Sequence, residues 1–218
     1  MTEKVFEHLP SLSPLSFFAV ESDLRQGEKK EISGLKRRHY HIPETTDYSG
    51  QENFASLYMG WSGTGITASI EVSLPLGKSH YPSLPRGDAV ELFFDTRDLK
   101  SAGFATSFCH HFLFLPAPEG EISAVELTRF RTEDSHPHCS SEDLEIQVAR
   151  ESGSYTANIF IPAHCLHGYD PKEFRRLGFA YRIHRTKGLP QEFAPVSTHY
   201  PIEQQPSLWS TLHLVDKE

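Results

Sequence analysis

The chain has 218 residues, 38% hydrophobic and 11% aromatic, which suits one large all-β domain and argues against disorder along its whole length. Its net charge of −8 sets up a field that repels polyanions, so a general nucleic-acid surface is disfavoured. No apolar run approaches the ~18 residues that span a bilayer, and the broken apolar pieces around Glu7, His8, Pro10 and Pro14 do not make a secretory leader.

Residues 1–53 read as an N-terminal segment of edge strands and loops belonging to the same domain, with Phe17 to Val20 and Leu35 to Ile42 as strand candidates. The segment holds a basic stretch, Arg25, Lys29, Lys30, Lys36, Arg37 and Arg38. Only Tyr40 offers a stacking platform there, so a solvated strand or loop is expected ahead of a nucleic-acid site.

Residues 54–218 form the expected main body. Ala55, Leu57, Met59 and Trp61 alternate with Ser56, Tyr58 and Gly60. A Ser62-Gly63-Thr64-Gly65 turn follows, then a second alternating run from Ile66 to Leu74, which together predict a β-hairpin. Prolines and glycines make 75–87 a loop. In Ala89 to Asp95 the period-two pattern predicts a strand with one face well buried, ending in the acidic turn Asp95-Thr96-Arg97-Asp98. Residues 108–115 are apolar on both faces, as in a central strand. A weaker strand is expected at 122–130, then a polar loop to Asp143, then strands around Leu144 to Val148 and Tyr155 to Ile161. Asp170, Pro171 and Glu173 sit at the cap, first and third positions of a one-turn helix. Strands at 177–183 and 208–215 close the series. Eight or nine short strands without long helices predict a two-sheet antiparallel β-sandwich, jelly-roll or immunoglobulin-like, with one or two short helical turns.

In order, the pieces YMGWSGTGITASIEV, GDAVELFFDTRD, GSYTANIFIPAHCL with RLGFAYRIHR, and PSLWSTLHLV are similar to the carbohydrate-binding module family nine-like group, related to the DOMON domains. The resemblance covers residues 54–216. It implies a sandwich that binds a ligand without chemistry: sugar-binding members clamp a ring between aromatics, and haem-binding members hold iron with Met and His. Neither pattern transfers residue by residue. Trp61 and Trp209 read as core positions, and Met59 shares its face with Leu57 and Trp61, so no cofactor is expected.

Candidate chemistry gathers at a few positions. Asp95 and Asp98 flank Arg97 and could bind calcium, accept hydrogen bonds from a polar ligand, or simply cap the turn. His110 and His111 face opposite sides of a strand unless a bulge intervenes. His136, His138, Cys139, His164, Cys165 and His167 supply enough nitrogen and sulfur for zinc, but lie on separate loops with no Cys-x-x-Cys spacing, so no metal site is expected. The odd and sparse set Cys109, Cys139 and Cys165 argues against a disulfide framework and makes a reducing cytoplasm the default. No Gly-x-Ser-x-Gly, His-Glu-x-x-His or phosphate-binding loop is present, so no enzyme is expected. The expected function is non-catalytic recognition of a carbohydrate or similar polar ligand, with Asp95, Arg97, Asp98, His111 and Trp61 as contacts. The alternative is a protein-interaction or assembly module; no membrane partner is expected.

Overall fold

The computed structural model describes residues 20–32, 34, 37–83, 86–193 and 201–217. Two β-sheets stack face to face. The larger contains β1 (Glu21–Arg25), β11 (Ser210–Val215), β9 (Arg176–His184), β4 (Ala89–Asp95), β5 (Cys109–Glu119) and β6 (Ile122–Glu126) in that order. The short β10 (Gln191–Phe193) joins β9 beyond the end of β11, so the two share one edge of β9 in tandem. The smaller sheet is β2 (Ala55–Ser62), β3 (Gly65–Val72), β8 (Tyr155–Pro162) and β7 (Glu145–Arg150). Among the described residues, all ladders between strands are antiparallel except β1 with β11.

The period-two apolar residues meet between the sheets. Val90, Leu92 and Phe94 of β4, with Phe112, Phe114 and Phe179, pack against Leu57, Met59, Ile66, Ile70, Ile159 and Ile161, all at 1% exposure or less. Burying an aliphatic or aromatic side chain is worth about 1.5–3 kcal/mol, so this layer dominates stability. The β2–β3 hairpin turns at Gly65, whose φ of +143° and 2.1 Å approach of a hypothetical Cβ to Ile161 O leave room for glycine alone.

Most expected elements are present, and the differences have physical causes. β4 is buried on both faces, because loops cover the outer side of the large sheet. β6 stops at Glu126, short of residue 130. The Asp170 segment is a turn in which Asp170 Oδ1 accepts from the Lys172 and Glu173 amides (3.1 and 3.3 Å), a cap without a helix. Of the N-terminal strand candidates, Phe17 to Ala19, Leu35 and Lys36 lie outside the described residues. Arg37–Tyr40 form a 3₁₀ turn in place of a strand, and only an isolated bridge pairs His41 with Tyr58. The strand lies earlier, at β1, where only Leu24 is buried, so alternation in its sequence is faint. Among the described residues, no helix is long and apolar enough to cross a membrane.

The cysteines depart from expectation. Cys139 and Cys165 form a disulfide across 26 residues of chain, and Cys109 is free and buried. Counting cysteines could not anticipate this, because the pairing depends on where the β6–β7 and β8–β9 connections fold.

Candidate functional site

The outer face of the large sheet carries the polar side chains of its three central strands. Register sets them: Glu91 of β4 lies opposite Arg182 of β9, Phe93 opposite His111 of β5, and Ala89 opposite His184. His111 and His184 are therefore diagonal neighbours of Glu91, within reach of long side chains. Glu91 Oε2 accepts from His111 Nε2 (2.6 Å), while Oε1 accepts from His184 Nε2 (2.6 Å) and Arg182 Nη1 (3.2 Å). Burial alone would raise the Glu91 pKa, but the two histidine hydrogen bonds and the Arg182 charge hold it well below the usual carboxylate range. Arg182 also pairs with Glu192 and lies 3.6 Å from Glu203.

This network floors a cavity of about 320 Å³, lined in addition by Tyr81, Pro82, Leu127 and Arg129. The size falls at the lower end of ligand cavities, about 300–1,000 Å³. Its walls mix an apolar patch with fixed donors and acceptors. His111 is stiffened from below by stacking on Phe93, with ring centroids 4.4 Å apart.

The expected contacts divide. His111 lines the cavity. Asp95, Arg97 and Asp98 lie at the far end of β4 and are engaged within the protein. Asp95 is buried and accepts from the Arg97 and Leu99 amides (2.9 and 2.7 Å). Burial raises its pKa, and those two bonds oppose the rise. Arg97 is stacked between the rings of Phe108 and Phe174, 4.4 and 3.6 Å from their centroids, and donates to the carbonyls of Thr96 and Gly168. Asp98, at φ 52°, accepts from Thr211 Oγ1 (2.8 Å) and pairs with Lys100 (2.6 Å). Trp61 is in the core with Nε1 donating to Val215 O (3.0 Å). Trp209 is also buried, but in a separate cluster with Phe93 and Ile202 on the outer side of the large sheet.

His110 and His111 face opposite sides of β5, as the strand period requires. His110 turns inward to Glu126, whose Oε1 also lies 2.9 Å from His136 Nε2 and accepts from Thr128 Oγ1. Glu126 Oε2 accepts from the Cys139 amide (2.7 Å). The donor atoms of His110, Glu126 and His136 lie within 4.8 Å of one another, in metal-ligand range, but these hydrogen bonds already join them. Burial pushes the Cys109 thiol up to about 12, the nearby Asp95 charge adding to it, so it is no nucleophile.

Sequence reasoning passed over Glu91, Arg182, His184, Arg129, Tyr81 and Glu203. One signal was available: Glu91 is a lone acid inside the apolar run Val90 to Phe94, and a buried charge is informative where an exposed leucine is not. Its partners lie 20 and more positions away along the chain, and only strand register unites them.

The sequence matches no protein-family model and no curated protein. Among solved structures, the chain is similar to a carbohydrate binding module family 9 from Caldicellulosiruptor kristjanssonii in complex with cellotriose, with a TM-score of 0.63 at 15% identity, covering 91% of this chain and 95% of the other. A carbohydrate binding module family 9 from Caldicellulosiruptor kristjanssonii in complex with glucose aligns with a TM-score of 0.61 at 14% identity, covering 91% of this chain and 96% of the other. At such identity the similarity establishes the fold, and the chain has the fold of family 9 modules.

Proposed function

We propose that this protein is a non-catalytic carbohydrate-recognition module that binds a short, hydroxyl-rich saccharide in the cavity over Glu91. The observation that carries the reading is the charge-matched network of Glu91, His111, Arg182 and His184 on the floor of a 320 Å³ cavity. Hydroxyls both donate and accept, so vicinal pairs suit a carboxylate and a guanidinium held side by side. The apolar wall of Tyr81, Pro82 and Leu127 can receive the less polar face of a sugar ring. The solved relatives in fold, held in complex with cellotriose and glucose, support the same ligand class.

In this reading His111 is a ligand contact, joined by Arg182, His184 and Arg129. Asp95, Arg97, Asp98 and Trp61 are assigned to hold the fold. Among the described residues lining the cavity, no group is arranged as a nucleophile with its base, which supports binding without turnover. A glycan array followed by isothermal titration calorimetry tests this. Saturable binding of an oligosaccharide, weakened at least about tenfold by Arg182→Ala and left unchanged by Arg97→Ala, is the expected result. A folded protein that binds no glycan overturns the reading, and a dimer by light scattering in the same sample would point to an assembly module.

A further inference from the structure

The β6–β7 and β8–β9 connections meet at one end of the sandwich. They line a second cavity, about 340 Å³, whose walls include Cys139, Asp143, His164 and Cys165. The two sulfurs and an Asp143 carboxylate oxygen lie within 4.8 Å of one another. His164 Nε2 is 3.3 Å from Asp143 Oδ2. In a tetrahedron with zinc–ligand bonds of 2.0–2.3 Å, neighbouring donors stand about 3.3–3.8 Å apart. Asp143 stands beside both sulfurs and His164 beside Asp143, so once the disulfide is opened the two thiols are free to separate towards this spacing around the Asp143 carboxylate.

We propose that Cys139, Cys165, Asp143 and His164 form a zinc site gated by the redox state of the Cys139–Cys165 disulfide. A low-molecular-weight or protein thiol reductant opens the gate. Two reductant thiols couple to a disulfide, and the two electrons and two protons they release convert Cys139 and Cys165 to thiols. Zinc then displaces both thiol protons and takes the two thiolates, the Asp143 carboxylate and the neutral His164 ring as ligands. Two sulfurs with one nitrogen and one oxygen suit this borderline-soft ion, whereas calcium and magnesium demand oxygen throughout.

The loops are held in place by bonds other than the disulfide, so reduction leaves the thiols facing each other. Glu126 Oε2 accepts from the Cys139 amide (2.7 Å), and Thr96 Oγ1 donates to His167 O (2.8 Å). The leucine after Cys165 closes its 3₁₀ turn by donating to Ala163 O (3.1 Å). The Asp143 and His164 side chains are 45% and 65% exposed, which gives the ion a path from solvent.

The test uses the full chain, reduced with a phosphine, desalted without oxygen and titrated with Co²⁺ and then Zn²⁺. One equivalent of cobalt is expected to bind with a near-ultraviolet thiolate-to-cobalt charge-transfer band and visible tetrahedral bands, all bleached by zinc. The oxidised protein should give neither. Asp143→Asn and His164→Ala should each weaken zinc binding by about tenfold or more while the charge-transfer band persists. Cys139→Ser should abolish it; if that variant fails to fold by circular dichroism, the wild-type cobalt spectrum decides alone. Reduced protein that binds no stoichiometric metal, binds it without a thiolate band, or binds it equally well when oxidised overturns the proposal. Glycan affinity does not enter any of these readouts.

Discussion

At the scale of single residues, two buried carboxylates organise the outer face and one end of the sandwich. Glu91 is only 3% exposed at its side chain and is balanced by three donors, so removing its charge takes the acceptor from both histidines and leaves Arg182 to Glu192 and Glu203. Breaking a buried pair of this kind costs about 3 kcal/mol. Glu91→Gln is therefore expected to lower the free energy of unfolding by that amount, with a matching fall in the urea midpoint, and to abolish glycan binding, read by equilibrium unfolding and calorimetry. The pH dependence follows from the same groups. The folded pKa values of Glu91 and Glu126 lie below the ordinary 4.5, so their stabilisation is present above that value and is lost as pH falls through it towards the folded pKa. Burial, against the opposing pull of Glu126, holds the His110 pKa below its ordinary 6.5, so folding also weakens below that pH because the unfolded chain binds the proton more readily. Urea midpoints measured across the range should be level near neutrality, decline from about pH 6.5 and fall steeply below about pH 4.5. A stability that rises on acidification would contradict the protonation states assigned to these residues.

At the scale of elements, the turn after β4 illustrates how chemistry-bearing residues can be structural. Asp95 receives two backbone amides and so ends the strand, while Asp98 takes a positive φ and ties the turn to β11 through Thr211. Asp95→Ala leaves two partly buried amide donors without their acceptor and should cost about 1–3 kcal/mol by chemical denaturation, with glycan affinity unchanged in the folded fraction. Loss of affinity with stability intact would return this turn to the binding surface. The β5 strand shows the complementary case. Its alternation sends His110 into the core towards Glu126 and His111 out towards Glu91, and adjacent residues thereby serve two unrelated networks.

At the scale of the molecule, the cross-link between the β6–β7 and β8–β9 connections ties the edge strand β7 to the body of the sandwich. A loop of this length contributes about 2–4 kcal/mol when closed. Reduction in the presence of a chelator should lower stability by that amount, and added zinc should recover part of it by binding the folded state; thermal melts of the three samples measure both effects. The redox state so becomes a whole-molecule property, because it decides which of two cross-links, covalent or coordinate, closes that end.

The sandwich is legible in the residues alone. Period-two alternation from Ala55 to Trp61, Ile66 to Val72 and Leu177 to Ile183 is a local property of an extended chain with one face buried, and glycines marked the hairpin turn. The strand period also sets His110 and His111 on opposite faces of an unbulged strand, and the register of β4 with β5 shows no bulge there. The partners of each site come together only in the folded chain. Glu91 meets Arg182 through strand register, and Cys139 meets Cys165 through the packing of two connections whose residues carry no periodic signal. The weakly patterned β1 and β10 belong with them, since each is held by the strand beside it more than by its own residues. The physical reason is common to all: burial of a whole face is written in neighbouring residues, whereas a site is a coincidence of side chains from distant ones, fixed only when the sheets close.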